Sequence, residues 1–258
     1  MISVQALRSN LMTLYLFTRS DFKTVVFPQA MFAFGLWCSG RTHDTECPFT
    51  EQDWIYKIFV ILLWIWVHLL VEDLANQRLP LAILEDKVNK PWRPLPAGRL
   101  TPAEARTWLQ SAVIIALVFS MCTGSLLPST TLMTIIWLYN DLEGGSGGPC
   151  ERNILNAAGL GCFGWGAVTI LIGPCIDTRL LASWSLLIAA VVASTVHVQD
   201  LPDIKGDHAS KRRTIPLVYG NILGRGSIAF LAPTCPRESI NSSRQSTTDR
   251  VLLAEGAY

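Results

Sequence analysis

The chain has 258 residues, 50% of them apolar and only 16% charged, with a mean hydropathy of +0.34. A soluble domain carries about 25% charged residues, so much of this surface faces lipid rather than water, and disordered or collagen-like classes are excluded. Twenty-one basic and twenty acidic residues nearly cancel, a balance with no pull towards a polyanion, and no nucleic-acid partner is expected. The seven cysteines form no CxxC pair and most lie in apolar runs, which argues against a zinc site or a disulfide scaffold. A Cys38–Cys47 bridge is the one pairing left open.

Windows of about twenty apolar residues, the length a helix needs to cross roughly 30 Å of hydrocarbon, predict an all-α, multi-pass transmembrane bundle. The spans fall near 22–40, 53–79, 103–124, 126–141, 153–173 and 179–201, with a weaker seventh near 214–232. Asp21 and Lys23 interrupt the N-terminal region and no small-residue cleavage site follows a short apolar core, so no cleaved signal peptide is expected. The predicted organisation is an N-terminal cytosolic segment over 1–21, a membrane domain over 22–232 and a polar, disordered tail over 233–258. The Gly-rich loop 144–149 is the expected flexible connection.

With six crossings, the N-terminus and the loops after the second, fourth and sixth spans share one side. The bases follow them: Arg8, Arg19 and Lys23, then Arg78, Lys87, Lys90, Arg93, Arg99 and Arg106, then Arg152, then Lys205, Lys211, Arg212 and Arg213. The opposite loops hold Arg41 and Arg179. By the positive-inside rule the base-rich side is cytosolic.

Topology does not explain why acids crowd the same side. The second span runs into Glu72, Asp73, Asn76 and Gln77, then Glu85 and Asp86; the sixth runs into Asp200, Asp203 and Asp207. Acids at membrane depth are costly and functional by default. The last three stand at i, i+3 and i+7, on one face if the backbone stays helical through Pro202. Like charges so close repel unless a cation sits among them, and an all-oxygen donor set suits magnesium. Lys87, Lys90, Arg93 and Arg99 follow the first acidic segment, and Lys211, Arg212 and Arg213 the second. Carboxylates for metal and bases for phosphate oxygens make a diphosphate site; a salt-bridged helical cap or a lipid-headgroup site has the same composition.

Asp200-Leu-Pro-Asp203-Ile-Lys-Gly206-Asp207, trailed by Lys211-Arg212-Arg213-Thr214-Ile-Pro216, resembles the DxxDxxGD motif of the UbiA superfamily of intramembrane prenyltransferases. Asp86 to Pro94, DKVNKPWRP, is similar to the end of that family's first acidic motif. Upstream, Asp73-Leu-Ala-Asn76-Gln77 and Glu85-Asp86 resemble a fungal subgroup that includes membrane terpene cyclases, with ten residues from Asn76 to Asp86 where the family has eight. Leu138-Tyr139-Asn140-Asp141 and Arg152-Asn153-Ile-Leu-Asn156 look like the same subgroup's loop after the fourth helix and the start of its fifth. The resemblance covers roughly residues 20–225 and implies a nine-helix UbiA-like bundle. The polar stretch after Arg225 cannot form the eighth and ninth spans, so the C-terminal spans are expected to be missing.

The resemblance implies a membrane enzyme that uses Mg2+ to ionise farnesyl or geranylgeranyl diphosphate; its expected location is the endoplasmic reticulum, with the cap facing the cytosol. Cyclisation of the chain is the first expectation and prenyl transfer to an aromatic or other acceptor the alternative; an inactive paralogue is the third reading. The implied metal ligands are Asp73, Asn76, Glu85, Asp86, Asp200, Asp203 and Asp207. The implied diphosphate grip is Lys90, Arg93, Arg152, Lys211 and Arg212, and Tyr139 and Asn140 would shape the reacting region. Trp64, Trp66, Trp137, Trp165 and Trp184 are expected to pack in the bundle or face lipid. His68 and His197 are expected to make interhelical hydrogen bonds rather than act as bases.

Overall fold

The computed structural model describes residues 4–38, 51–173, 178–220, 222 and 225–226. The described residues form helices and connecting turns, with no strand among them. Helix α1 is Val4–Thr18; a wider π turn over Phe22–Val26 leads into α2, Phe27–Cys38. Then come α3 (Glu51–Gln77), α4 (Pro80–Asn89), α5 (Pro102–Cys122), α6 (Leu126–Asn140), α7 (Gly144–Gly147), α8 (Pro149–Ile172), α9 (Thr178–Thr195), α10 (Asp200–Ala209) and α11 (Ile215–Tyr219).

Among the described residues, four helical stretches are long and apolar enough to cross a membrane: Ile55–Gln77, Pro102–Cys122, Pro149–Ile172 and Thr178–Ala209. The other two predicted spans are present but short, Phe22–Cys38 and the 15-residue α6; at 1.5 Å per residue α6 covers only about 22 Å. Of the seventh predicted span, the described part contains the short α11, and the remainder, like the predicted tail and Cys47, lies outside the described residues. Cys38, Cys122, Cys150 and Cys162 are free thiols, so the pairing of Cys38 left open by the sequence is not made.

The centre of the bundle is α3 against α8. Among the described residues α3 is mostly buried and α9 mostly exposed, so α3 is an inner helix of the bundle and α9 an outer one. Close approach is set by Gly166 on α8, where a Cβ would lie 2.1 Å from the Trp64 ring. Trp64 is fully buried and donates from Nε1 to Ser120 Oγ at 2.8 Å. His68 stacks on Trp64 at 3.9 Å and bonds Ser129 Oγ at 2.7 Å, an α3–α6 contact of the expected interhelical kind. Trp137 and Trp184 are exposed at 53% and 45%, as lipid-facing residues would be.

Three local features go beyond the sequence expectation, each for a physical reason. The segment 80–89 is a helix: Pro80, with its fixed φ and absent N–H, occupies the first helical position and starts α4 after a turn at Arg78–Leu79. The segment 1–21 contains α1, whose Leu16 and Phe17 are buried, and whose end is tied down by Arg99 Nε to Thr13 Oγ1 at 3.2 Å and by Arg19 over the Trp92 ring at 4.8 Å. The Gly-rich connection is packed, since Gly144 lies under Leu155 and Gly145 under the Tyr139 ring, with no room for a Cβ at either. Pro202, the doubtful point in the second motif, sits in the first turn of α10, where a missing N–H costs nothing.

Candidate active site

The two acidic segments meet. Helices α4 and α10 pack side by side at one end of the bundle, and the Asn89 amide joins them, donating to Asp203 O at 3.0 Å while its Oδ1 accepts from Gly206 N at 3.1 Å. Gly206 permits this approach: a Cβ there would lie 2.2 Å from Asn89 Nδ2. Ion pairs complete the joint, Lys90 to Asp203 at 3.1 Å and Arg212 to Glu85 at 3.0 Å.

Below that joint lies a cavity of about 180 Å³. Its upper wall is polar: Glu72, Asp73 and Asn76 from α3, Glu85 from α4, Lys90 and Arg93 beyond it, Asp200 and Asp203 from α10, with Arg152 and Arg212. Its lower wall is apolar: Val25, Leu69, Leu132, Ile135, Ile136, Leu155, Leu160 and Phe163. Tyr139 and Asn140, at the end of α6, also line it. The shape is that of a charged head group on an apolar tail.

Most acids hold a base. Arg152 meets Asp200 at 2.7 Å, with Asp200 only 2% exposed. Arg93 donates to both Asp86 oxygens, at 3.0 and 3.1 Å, and to Asp21 at 3.0 Å. Burial raises the Asp86 carboxyl above the ordinary aspartate range, and Arg93 opposes that shift. Burial would lower the Arg93 guanidinium, but Asp86, Asp73 and Asp21 outweigh it and hold it above its usual value. Asp73 accepts from Gln77 at 2.8 Å through one oxygen, while the other is buried with no hydrogen-bond partner; one oxygen of the buried Asp207 is likewise unpartnered. Asn76 donates to Asn140 Oδ1 at 3.0 Å, and Asn140 to Ile136 O, so the end of α6 is fixed to α3.

Of the predicted site residues, Asp73, Asn76, Glu85, Asp200, Asp203, Lys90, Arg93, Arg152, Arg212, Tyr139 and Asn140 line the one cavity. Asp86 and Asp207 stand behind that lining, each within 4.0 Å of an arginine that is part of it. Lys211 is not brought in: its left-handed backbone, φ 58°, turns the exposed side chain away as the chain leaves α10. Asp21, Glu72, Asn156 and Gln199 line the cavity without having been singled out as ligands. Glu72 stands within the first acidic segment, Asp21 is an acid at the mouth of the first span on the base-rich side, and Asn156 lies in the Arg152–Asn156 stretch that carries the resemblance; Gln199 gives no such signal.

A cation among these groups would find oxygen donors only. The unpartnered Asp73 oxygen and the absence of sulfur and imidazole from the lining suit magnesium rather than a soft metal. Among the described residues, no three acids stand already gathered round a common point; their charge is met instead by the arginines and lysine.

Residues 83–235 match the family model described as the UbiA prenyltransferase family. The chain belongs to that family. It is 33% identical over 224 residues to the fumagillin beta-trans-bergamotene synthase of Aspergillus fumigatus, covering 86% of this chain and 72% of that protein. It is 30% identical to a polyprenyl transferase of Hericium erinaceus, covering 84% of this chain and 71% of that one. A solved UbiA homologue from Archaeoglobus fulgidus, bound to GPP and Mg2+, shares the fold with a TM-score of 0.63 at 15% identity, over 86% of this chain and 72% of the other. The chain is therefore a membrane-integral enzyme of the UbiA type, of the prenyltransferase and terpene cyclase group.

Proposed function

We propose that the enzyme ionises an isoprenoid diphosphate, farnesyl or geranylgeranyl, and cyclises the chain that is left. The observation that carries this reading is one cavity with charge at its head and hydrocarbon at its base, where segments more than a hundred residues apart are joined by Asn89. Asp73, Asn76, Glu85, Asp200 and Asp203, with Asp86 and Asp207 behind them, would hold Mg2+, and Lys90, Arg93, Arg152 and Arg212 would take the phosphate oxygens. Bound Mg2+ neutralises the diphosphate and so favours its departure.

The C–O bond breaks with both electrons leaving on the diphosphate, where the bases are already placed to receive the charge. Tyr139 and Asn140 flank the allylic carbon at the boundary of the polar and apolar walls. Leu69, Leu132, Ile136 and Phe163 exclude water from the cation, which one of the chain's own double bonds then attacks; loss of a proton or capture of one water ends the sequence. The similarity to a bergamotene synthase favours cyclisation. The similarity to a polyprenyl transferase favours the second reading, attack by an aromatic or other acceptor.

The test is to supply membranes carrying the protein with Mg2+ and farnesyl or geranylgeranyl diphosphate, without acceptor. A cyclic hydrocarbon or alcohol supports cyclisation; turnover only after a phenol or aromatic acid is added supports transfer. Equal diphosphate release from wild type and from Asp200→Ala or Asp203→Ala would overturn both. We place the enzyme in the endoplasmic reticulum, where the distribution of bases supports a cap facing the cytosol, to be checked by protease protection of a tag placed in the loop at 97–100.

A further inference from the structure

Helix α8 descends the cavity wall in a regular stripe. Arg152, Asn156, Gly159 and Phe163 all line it, with Arg152 at the charged head and Phe163, 3% exposed, at the base. At 1.5 Å per residue Gly159 lies about 10 Å below Arg152, and Phe163 about 6 Å further down.

The glycines of this helix do not serve one purpose. Gly164 and Gly166 are required by packing, since a Cβ would come within 2.8 Å of Phe32 and 2.1 Å of Trp64. At Gly159 a Cβ would meet only Ile135 at 3.7 Å and Leu132 at 4.0 Å, ordinary contacts with two other residues of the same cavity wall. A glycine inside a helix is less stable than an alanine, and this one gains no close approach in return. What it leaves is open volume, half-way down the apolar part of the cavity.

We propose that Gly159 sets the length of prenyl chain the enzyme accepts: the missing side chain lets a longer isoprenoid pass the Leu132–Ile135 level and reach Phe163. This rests on the diphosphate reading of the site and adds its specificity. A larger residue at 159 blocks the lower half and leaves the head site intact, so shorter chains still bind.

The experiment measures binding of geranyl, farnesyl and geranylgeranyl thiolodiphosphates, which do not ionise readily, with Mg2+ and the detergent-purified protein, by ligand-induced thermal shift. Wild type binds all three. Gly159→Leu loses about tenfold or more in geranylgeranyl affinity relative to geranyl, and Gly159→Ala moves the ratio the same way by less. Gly161→Leu, on the same helix but outside the cavity and with open space around its Cβ, leaves the ratio unchanged. An unaltered ratio in Gly159→Leu, or equal loss at every length, overturns the inference and leaves the diphosphate site standing. If Gly159→Leu does not fold, Gly159→Ala decides in the same way. Failure of wild type to bind any of the three overturns the site itself.

Discussion

Gly206→Ala tests the joint between the two acidic motifs, and its sign is informative. In a helix with space around it, alanine for glycine stabilises by about 1 kcal/mol. Gly206 lies inside α10, where the new Cβ would be 2.2 Å from the Asn89 amide nitrogen. The short Asn89 side chain cannot retreat without giving up its bonds to Asp203 O and Gly206 N. Two lost hydrogen bonds at about 0.5–1.5 kcal/mol each, with overpacking of about 1–3 kcal/mol, exceed the gain in propensity. The expected net cost is about 1–5 kcal/mol. Thermal unfolding of the purified protein reads the stability, and Mg2+-dependent diphosphate release reads the alignment of the motifs. In an Asn89→Ala background the obstacle is gone, and Gly206→Ala is expected to be neutral or stabilising, so the double-mutant cycle shows a coupling of at least about 1 kcal/mol. A stabilised Gly206→Ala single mutant, or strict additivity in the cycle, would refute the packing argument.

Arg152→Ala leaves the buried Asp200 carboxylate without its partner at 2.7 Å, an expected cost of about 3–5 kcal/mol; Arg152→Met with Asp200→Leu should recover most of it in a thermal melt. Arg212→Ala is expected to raise KM for the diphosphate about tenfold, the loss of one charge-assisted contact, whereas Lys211→Ala, exposed and outside the cavity, should leave steady-state kinetics unchanged. His68→Phe removes the buried bond to Ser129 and should cost about 1–3 kcal/mol in unfolding with unaltered product release per folded molecule; loss of turnover without loss of stability would instead give His68 a chemical role. Chelation of divalent ions should abolish diphosphate release. In thermal-shift measurements, Mg2+ and inorganic diphosphate together should stabilise more than the two effects added separately.

The bundle was legible because its signal is composition. Runs such as Ile58 to Val71 have no stable place outside lipid or a bundle centre, and the described residues of every predicted span from 22 to 201 are mostly helical. The arrangement of Asp200, Asp203 and Asp207 could be read for a related reason, since helical periodicity is local and Pro202 happens to fall in the first turn. Contacts that depend on tertiary approach were not legible. Nothing in the spacing of DKVNKPWRP says that Asn89 reaches Gly206, more than a hundred residues away, or that Arg93 collects Asp21 from the N-terminal region as well as its neighbour Asp86. Lys211 illustrates the converse. By sequence it is equivalent to Arg212, but one residue in the left-handed region separates a side chain in the cavity from one outside it.

The ion pairs bear on how such a site loads. Asp86, Asp200, Asp203 and Glu85 each hold a base within 3.1 Å, so the acids are neutralised by the same arginines and lysine that a diphosphate would require. A diphosphate arriving alone would take the bases and leave buried carboxylates bare; a cation arriving alone would take the carboxylates and leave buried guanidinium groups bare. Either half-reaction leaves an uncompensated charge in a low-dielectric wall, the costly case for buried pairs. Arriving together, they let bases pass to phosphate oxygens and carboxylates pass to metal with no group left unpaired. Cooperative loading follows from the pairing itself, and linkage makes it reciprocal: whatever Mg2+ does for diphosphate affinity, diphosphate does for Mg2+. Arg152 and Arg212 would thus serve twice, as counter-ions that let the empty acidic site fold and as the groups that receive the leaving diphosphate.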